Sequence, residues 1–361
     1  MAAMVLHGHG DFDQLQFHSD WPVPVPVDDQ VLIRVEACGL NNTDVNTRVG
    51  WYSKSVESAT SAGVAASADD DASWGGNPIT FPRIQGADVA GVVVSTASTA
   101  DAALIGKRVL VDTWLRNKAD PYSFDGTGYF GSECDGGFAQ YTCAPVSNVH
   151  PVKSQLSSPE LATFATSYVT AENMLNRAVV REGDTVLIPG ASGGVGGALI
   201  QLAKRRGART IGMASASKHE QVLATGVDVV LPRSPENLVK TLKDRTGSSS
   251  VSVVADAVGG PLWNSLIDCL ERGGRYTCSG AIAGPMVKLD LRTLYLRDLT
   301  FTGATVVPPG VFADLVHYID DAEIKPLLAA TYPLASLHEA QQVFIDKQHV
   351  GNLVVDCQTT G

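Results

Sequence analysis

Two kinds of hydrophobic spacing divide this chain. Val31 to Ala37 and Val89 to Val94 are dense in valine and other apolar residues, with Pro and Gly at their boundaries, which is the pattern of strands. The first part is therefore β-rich. From Pro159 onward the spacing becomes helical, and from Asp184 strands and helices alternate. Strands are expected at Thr185–Pro189, Thr210–Ala214, Val229–Leu231, Val251–Asp256 and Arg275–Ser279, with helices at Val195–Arg206, Lys218–Ala224, Glu236–Arg245 and Pro261–Glu271. Short apolar strands separated by helices of about ten residues predict βαβ units and a parallel, doubly wound sheet covered on both faces. The tail predicts a strand at Leu299–Gly303, helices near Val311–Asp320 and Leu337–Lys347, and a last strand at Leu353–Val355. It is expected to rejoin the first domain.

Between Tyr52 and Phe81 the apolar positions thin out into Ser, Ala, Gly and Asp, including Asp69, Asp70 and Asp71. A long surface loop over 53–80 is predicted, an insertion in preference to a substrate lid, although long loops in compact enzymes are often functional.

Length and composition narrow the class. At 361 residues the chain exceeds one ordinary hydrophobic core, so two domains are expected. A hydrophobic content of 44% with 18% charged residues belongs to a folded globular protein. The formal net charge of −11, without a long basic stretch, disfavours nucleic acid and anionic lipid as partners. No stretch holds the roughly 18 apolar residues of a membrane helix, and Met1 to Phe12 has no signal-peptide pattern, so a cytoplasmic location is the expectation. The six cysteines form no CxxC pair and read as free thiols, mostly packing residues.

The chemistry begins at Val186-Leu187-Ile188-Pro189-Gly190-Ala191-Ser192-Gly193-Gly194-Val195-Gly196, a strand running into a Gly-rich turn that opens a helix. Gly190, Gly193 and Gly196 permit a tight turn, close approach to a pyrophosphate and close helix packing, while Ser192, Gly194 and Val195 lie at a helix N-terminus with free N–H groups. The following strand at Thr210 supplies the context a dinucleotide fingerprint requires.

NAD-preferring sites usually hold an acidic residue at the end of the second strand. This chain reads Met213-Ala214-Ser215-Ala216-Ser217-Lys218 instead. With no carboxylate to repel it, a 2′-phosphate can be bound by Ser215, Ser217 and Lys218, which favours NADPH over NADH. Ser217 as a helix N-cap, with Lys218 as a solvated first-turn residue, is the alternative, and the two are compatible.

At this point the chain resembles the medium-chain dehydrogenase/reductase superfamily, and its quinone oxidoreductase and enoyl reductase branch more than its zinc alcohol dehydrogenases. The resemblance runs over nearly the whole chain. It rests on Ala37-Cys38-Gly39-Leu40-Asn41-Asn42-Thr43-Asp44, Gln85-Gly86-Ala87-Asp88-Val89-Ala90-Gly91 and Asp135-Gly136-Gly137-Phe138-Ala139-Gln140-Tyr141, besides the Gly-rich turn. It implies an α/β fold in which a GroES-like β-barrel substrate domain, residues 1–157 and 305–361, surrounds a doubly wound Rossmann domain, residues 158–304. Such enzymes are commonly dimers or tetramers, and a homodimer is the expectation. By the same resemblance Thr166 lies near the nicotinamide, and Ser279, Gly280, Ala281, Gly351 and Asn352 line the cofactor. Many relatives carry a Lys where this chain has Asn352.

The zinc branch holds its catalytic metal with a Cys three residues before an Asp, a His in Gly-His-Glu, and a further Cys or acidic ligand. The corresponding places here are Asn41, Ala87 and Ala162. A catalytic zinc needs three protein ligands, so no metal is expected. His7, His9 and His18 lie in a polar stretch and read as surface histidines. Without a Lewis acid, an electrophile whose charge delocalises into an enolate or hydroquinone anion is the easier hydride acceptor. The expected partner is therefore a small electrophilic molecule, an enone, enoyl thioester or quinone, with hydrogen-bond donors stabilising the oxyanion. The stretch Asn46-Thr47-Arg48-Val49-Gly50-Trp51-Tyr52 resembles the Asn-x-x-x-Gly-x-Tyr of medium-chain enoyl reductases, which implies a catalytic Tyr52, with the Asn41 amide as a second donor. Tyr52 as a covering aromatic is the competing reading. A metal-free alcohol or aldehyde reductase and a non-catalytic NADPH-binding protein are the alternatives to the whole.

Overall fold

The computed structural model describes residues 1–63, 72–75 and 78–359. Asp69, Asp70 and Asp71 lie outside these residues. The chain is α/β, and it divides into a barrel-like unit of residues 1–56, 63–166 and 308–361 and a Rossmann unit of residues 57–62 and 167–307.

In the first unit Gln30–Gly39 is the organising strand. Its alternating residues Val31, Ile33 and Val35 are fully buried, as a strand with one face on a core requires. It pairs antiparallel with Asp88–Thr96, Tyr141–Pro145 and Asn352–Asp356. The sheet extends through Arg108–Val111 to Val149–Pro151 on one side and through Leu328–Pro333 on the other. The tail thus supplies two strands to this sheet, and Leu328–Pro333 was not visible as a strand in the sequence pattern because its residues are half-buried or exposed. Residues 158–166, expected in the Rossmann domain, belong to this unit.

The second unit is a six-stranded parallel sheet in the order Val229–Pro232, Arg209–Ala214, Thr185–Ile188, Val251–Asp256, Leu270–Cys278, Thr300–Gly303. Its core gathers Leu187, Ile211, Met213, Val254 and Leu270. Local chemistry sets its helix ends: Asn237 accepts from the Lys240 N–H at 2.8 Å at the start of Leu238–Thr246, and Gly247 ends it at φ 81°. The expected helix Pro261–Glu271 is shorter. It runs over Trp263–Asp268 after a 3₁₀ turn, and Leu270 and Glu271 already belong to the next strand. Leu270 pairs with Val251 across a bulge, so ladder bonding overrides helical spacing there.

The predicted surface loop over 53–80 is not uniformly at the surface. Residues 57–62 join the Rossmann unit, where the Thr60 N–H donates to the Ile282 carbonyl at 3.1 Å. Ala72 and Ser73 are buried in the barrel unit, and Trp74 donates from Nε1 to Glu133 at 3.0 Å. Among the described residues no helix is long and apolar enough to cross a membrane.

Candidate functional site

The Gly-rich turn follows the strand Thr185–Ile188 and opens the helix Gly194–Arg205. Gly190 has φ 67°, in the left-handed region that side chains avoid. A Cβ on Gly196 would stand 2.3 Å from the Gly190 carbonyl oxygen and 2.8 Å from the Ala191 Cα, so only glycine lets the helix meet the turn so closely. Gly193 occupies the N-cap without a side-chain cap, so the first-turn N–H groups of Gly194, Val195 and Gly196 have no partner within the helix, and the half-buried Ser192 lies beside them. This is a bare cradle of N–H donors, and it fits a pyrophosphate.

At the end of the next strand the Ser215 and Ser217 hydroxyls stand 3.3 Å apart. The helix His219–Ala224 has Lys218, not Ser217, at its N-cap, with no side-chain cap, so the capping alternative for Ser217 fails. Partial burial and then the positive charge of Arg233 lower the Lys218 pKa. Arg233 follows the strand Val229–Pro232, whose Pro232 pairs with Ala214, so strand register brings it to the same edge. Sequence reading missed Arg233; a basic residue just past the adjoining strand was the available signal. Ser279, Gly280 and Ala281 follow the strand Leu270–Cys278 at the same carboxyl ends of the sheet, and the Ser279 N–H donates to the Asp256 carbonyl at 3.1 Å.

The barrel unit holds a second group. Asn41 precedes the helix Asn42–Arg48, and its backbone N–H donates to Asp44 Oδ2 at 2.7 Å. The Asn41 amide nitrogen is buried without a well-formed hydrogen bond, although the amide lies close enough to Asp88 to favour its charged form. Asp88, at the start of its strand, is 1% exposed. Its Oδ1 accepts from the Thr166 N–H at 2.9 Å and, at close range, from the Thr166 hydroxyl. The same hydroxyl stands 2.7 Å from the Tyr129 hydroxyl. Tyr129 packs edge-on against Trp114 and Trp74, at 5.4 and 6.1 Å between ring centres. Tyr52 is half-buried, and its hydroxyl donates to Thr43 Oγ1 at 3.5 Å.

Burial dominates the electrostatics. It pushes Asp44 up to about 7 and Asp88 up to about 6, the latter held back by the hydrogen bonds from Thr166 and by the nearby Asn41 amide. Burial also raises Tyr52, and it raises Tyr129 well above a phenol's usual range, where the Asp88 charge adds to it. Both phenols are neutral donors at physiological pH.

The structure thus brings Asn41 and Thr166 to one buried carboxylate, Asp88. It adds Tyr129, which motif reading passed over. Asn352 opens a strand of the barrel unit and is buried there, its N–H donating to the Leu327 carbonyl at 2.7 Å.

The places of a catalytic zinc do not fit one. A Cβ on Gly39 would lie 2.4 Å from the Ala162 carbonyl and 3.1 Å from Asp88 Cβ, so the chain next to these places is closely packed, and Ala87 and Ala162 offer only methyl groups. Among the described residues no three His, Cys, Asp or Glu side chains are placed to share a metal ion. His9 bonds the Thr47 carbonyl at 2.7 Å, and His7 and His18 pair through Nε2 at 3.3 Å.

Residues 27–154 match the alcohol dehydrogenase GroES-like domain, and residues 194–321 match the zinc-binding dehydrogenase family. The chain is 26% identical to human (Homo sapiens) quinone oxidoreductase over 96% of its length and 94% of that protein. It is 25% identical to the acryloyl-coenzyme A reductase of Sulfurisphaera tokodaii, over 98% of this chain and 99% of that one. The solved structure of a Sinorhizobium meliloti 1021 protein, assigned provisionally as an alcohol dehydrogenase, is 43% identical with a TM-score of 0.90, over 99% of this chain and 96% of that one.

Proposed function

The chain belongs to the medium-chain dehydrogenase/reductase superfamily, and from that premise we propose that it is an NADPH-dependent, metal-free reductase of activated C=C bonds or quinones. The observation that carries this reading is the pair of methyl groups, Ala87 and Ala162, at two of the metal-ligand places, with the buried Asn41 amide at the third, beside Asp88 and without a well-formed hydrogen bond among the described residues. A donor in that place stabilises an oxyanion by hydrogen bonding, which suits an enolate or hydroquinone anion better than a full alkoxide. The similarity to a quinone oxidoreductase and an acryloyl-coenzyme A reductase supports the same substrate class.

The Gly190–Gly196 turn would hold the pyrophosphate, with Ser279, Gly280 and Ala281 alongside. Ser215, Ser217, Lys218 and Arg233 would hold the 2′-phosphate. When bound, the dinucleotide would supply hydride to the β-carbon of the acceptor. Tyr52 and Asn41 donate toward the substrate oxygen, and Thr166, anchored by Asp88, positions the reacting ring. The family resemblance supports a homodimer as the working form, and the net charge of −11 fits a protein that binds neither nucleic acid nor anionic lipid.

A second reading, reduction of an aldehyde or ketone at carbonyl carbon, is favoured by the 43% identical structure. Following NADPH oxidation with quinones, enones, enoyl thioesters and aldehydes separates the two. Turnover with aldehydes alone overturns the first reading, and NADPH binding without turnover of any acceptor makes the protein a non-catalytic binder. Elemental analysis is expected to find no stoichiometric zinc, and one metal per chain would contradict the metal-free mechanism.

Cofactor choice gives a sharper test. Lys218→Ala and Arg233→Ala are each expected to raise the Michaelis constant for NADPH roughly ten- to a hundredfold, because a charge-assisted contact contributes about 1.5–3 kcal/mol. The constant for NADH should barely move. An equal effect on both cofactors would assign these residues to local stability.

A further inference from the structure

We propose that Tyr129 is the phenol that completes the reduction, drawing its proton from Asp88 through the hydroxyl of Thr166. The inference rests on the reductase reading above and adds a proton path to it.

Hydrogen-bond accounting sets the direction. The Thr166 hydroxyl has one proton, and it bonds both Asp88 Oδ1 and, at 2.7 Å, the Tyr129 hydroxyl. With Asp88 ionised, that proton points to the carboxylate, so Tyr129 must donate to Thr166. With Asp88 protonated the whole chain reverses. The acid donates to Thr166, Thr166 donates to Tyr129, and the Tyr129 proton is released toward an outside acceptor. Three groups therefore form one wire whose polarity depends on a single buried carboxyl.

A capping role explains only part of this arrangement. Asp88 bonds the Thr166 N–H at the start of the helix Ala165–Arg177, which needs no tyrosine. Tyr129 is brought in by the strand Gly128–Tyr129, which pairs with Trp114–Leu115, and it is 5% exposed. Tyr52, by contrast, donates to Thr43 at 3.5 Å, and the nearby Asp44 acts on it through its charge and not through a shared hydroxyl. The two phenols lie near enough for a charge on one to disfavour a charge on the other, so Tyr129 and Tyr52 serve the same space. Asp88 is faced by Asp44 from the helix Asn42–Arg48, Cys38 from the strand Gln30–Gly39, Asn41, Thr166 and Tyr129.

A bound reduced nicotinamide dinucleotide would supply hydride to the β-carbon, forming the C–H bond there and leaving the π pair on the substrate oxygen. The Tyr129 O–H bond breaks as the proton passes to the enolate. Thr166 returns a proton to the Tyr129 oxygen and takes one from the Asp88 carboxylic acid. Asp88, left as a carboxylate, regains a proton from water after product leaves. One hydride and one proton are consumed per acceptor reduced.

The test uses the full-length enzyme with NADPH and methyl vinyl ketone. Tyr129→Phe and Thr166→Val are each expected to lower kcat about a hundredfold or more, the scale of a lost general acid. For Tyr129→Phe the Michaelis constant for NADPH should stay within about threefold of wild type, since the phenol is placed on proton transfer and not on cofactor binding. Thr166→Ser, which keeps the hydroxyl, should recover most of the rate lost in Thr166→Val. In the wild type kcat should fall as pH rises through about 6, because reduction draws on protonated Asp88, and this limb should vanish in Tyr129→Phe. Wild-type turnover with an unimpaired Tyr129→Phe, or an unchanged pH limb in that variant, overturns the relay and leaves the reductase reading intact. Absence of wild-type turnover with methyl vinyl ketone and every other acceptor overturns both. Should Tyr129→Phe fail to fold, Thr166→Val performing as well as Thr166→Ser overturns the relay.

Discussion

Gly196→Ala is expected to abolish measurable dinucleotide binding, with a loss of at least a hundredfold in affinity. The added Cβ would lie 2.3 Å from the Gly190 carbonyl oxygen and 2.8 Å from the Ala191 Cα, both backbone atoms that no rotamer change can move away. The helix Gly194–Arg205 must then shift, and the N–H groups at the proposed pyrophosphate site shift with it. Stability should fall by about 1–3 kcal/mol, the usual cost of overpacking. Gly193→Ala separates ligand from fold. There φ is −85° and a Cβ would meet only the Gly190 oxygen, at 3.6 Å, so the protein itself tolerates the methyl. Its melting temperature should stay within a few degrees of wild type while NADPH binding, followed by fluorescence titration, weakens roughly tenfold or more. Unchanged binding in Gly193→Ala would place the dinucleotide elsewhere.

The second large effect concerns pH and the barrel unit. Burial raises Asp44 to about 7 and Asp88 to about 6, each from an ordinary 3.8. The folded state therefore binds these protons more tightly than the unfolded chain. Their contribution to stability is fully present below about pH 4 and is lost as pH rises through 6 to 7. Proton affinities raised this far correspond to about 3–4 kcal/mol per group. Asp88→Asn, which still offers an acceptor to the Thr166 N–H, should be relatively destabilised near pH 5 and gain on wild type as pH rises to 8, in urea unfolding at both pH values. A difference between variant and wild type that does not change with pH would show that Asp88 titrates normally in the folded protein.

The glycine-rich turn was legible because it is local. A strand, a turn with glycines at fixed spacing and a helix start lie within about a dozen residues, and each glycine answers a steric demand visible in the spacing. The absence of an acid after Ala214 was legible for the same reason. Arg233 was not, since only the pairing of Pro232 with Ala214 brings it to Lys218. The boundaries of Trp263–Asp268 and Leu270–Cys278 were misread where apolar spacing suited both periods and ladder bonding decided. The long polar stretch read as surface, yet Ala72 and Ser73 are buried and Trp74 packs on Trp114 and Tyr129, contacts that composition does not record.

The sequence by itself determined the alternation of strands and helices in the nucleotide unit, the glycine turn and the side chains at the expected metal-ligand places. These follow from short-range sterics and from residue chemistry, which act within a few positions. The tertiary structure alone decided which polar groups share a buried space. Asp88 and Thr166 are 78 residues apart, and Tyr129 and Thr166 are 37 apart. Their meeting depends on how the strands Asp88–Thr96 and Gly128–Tyr129 and the start of the helix Ala165–Arg177 pack, which none of these side chains signals along the chain. Burial then sets the proton affinity of Asp88, a property of surroundings that the order of residues does not carry.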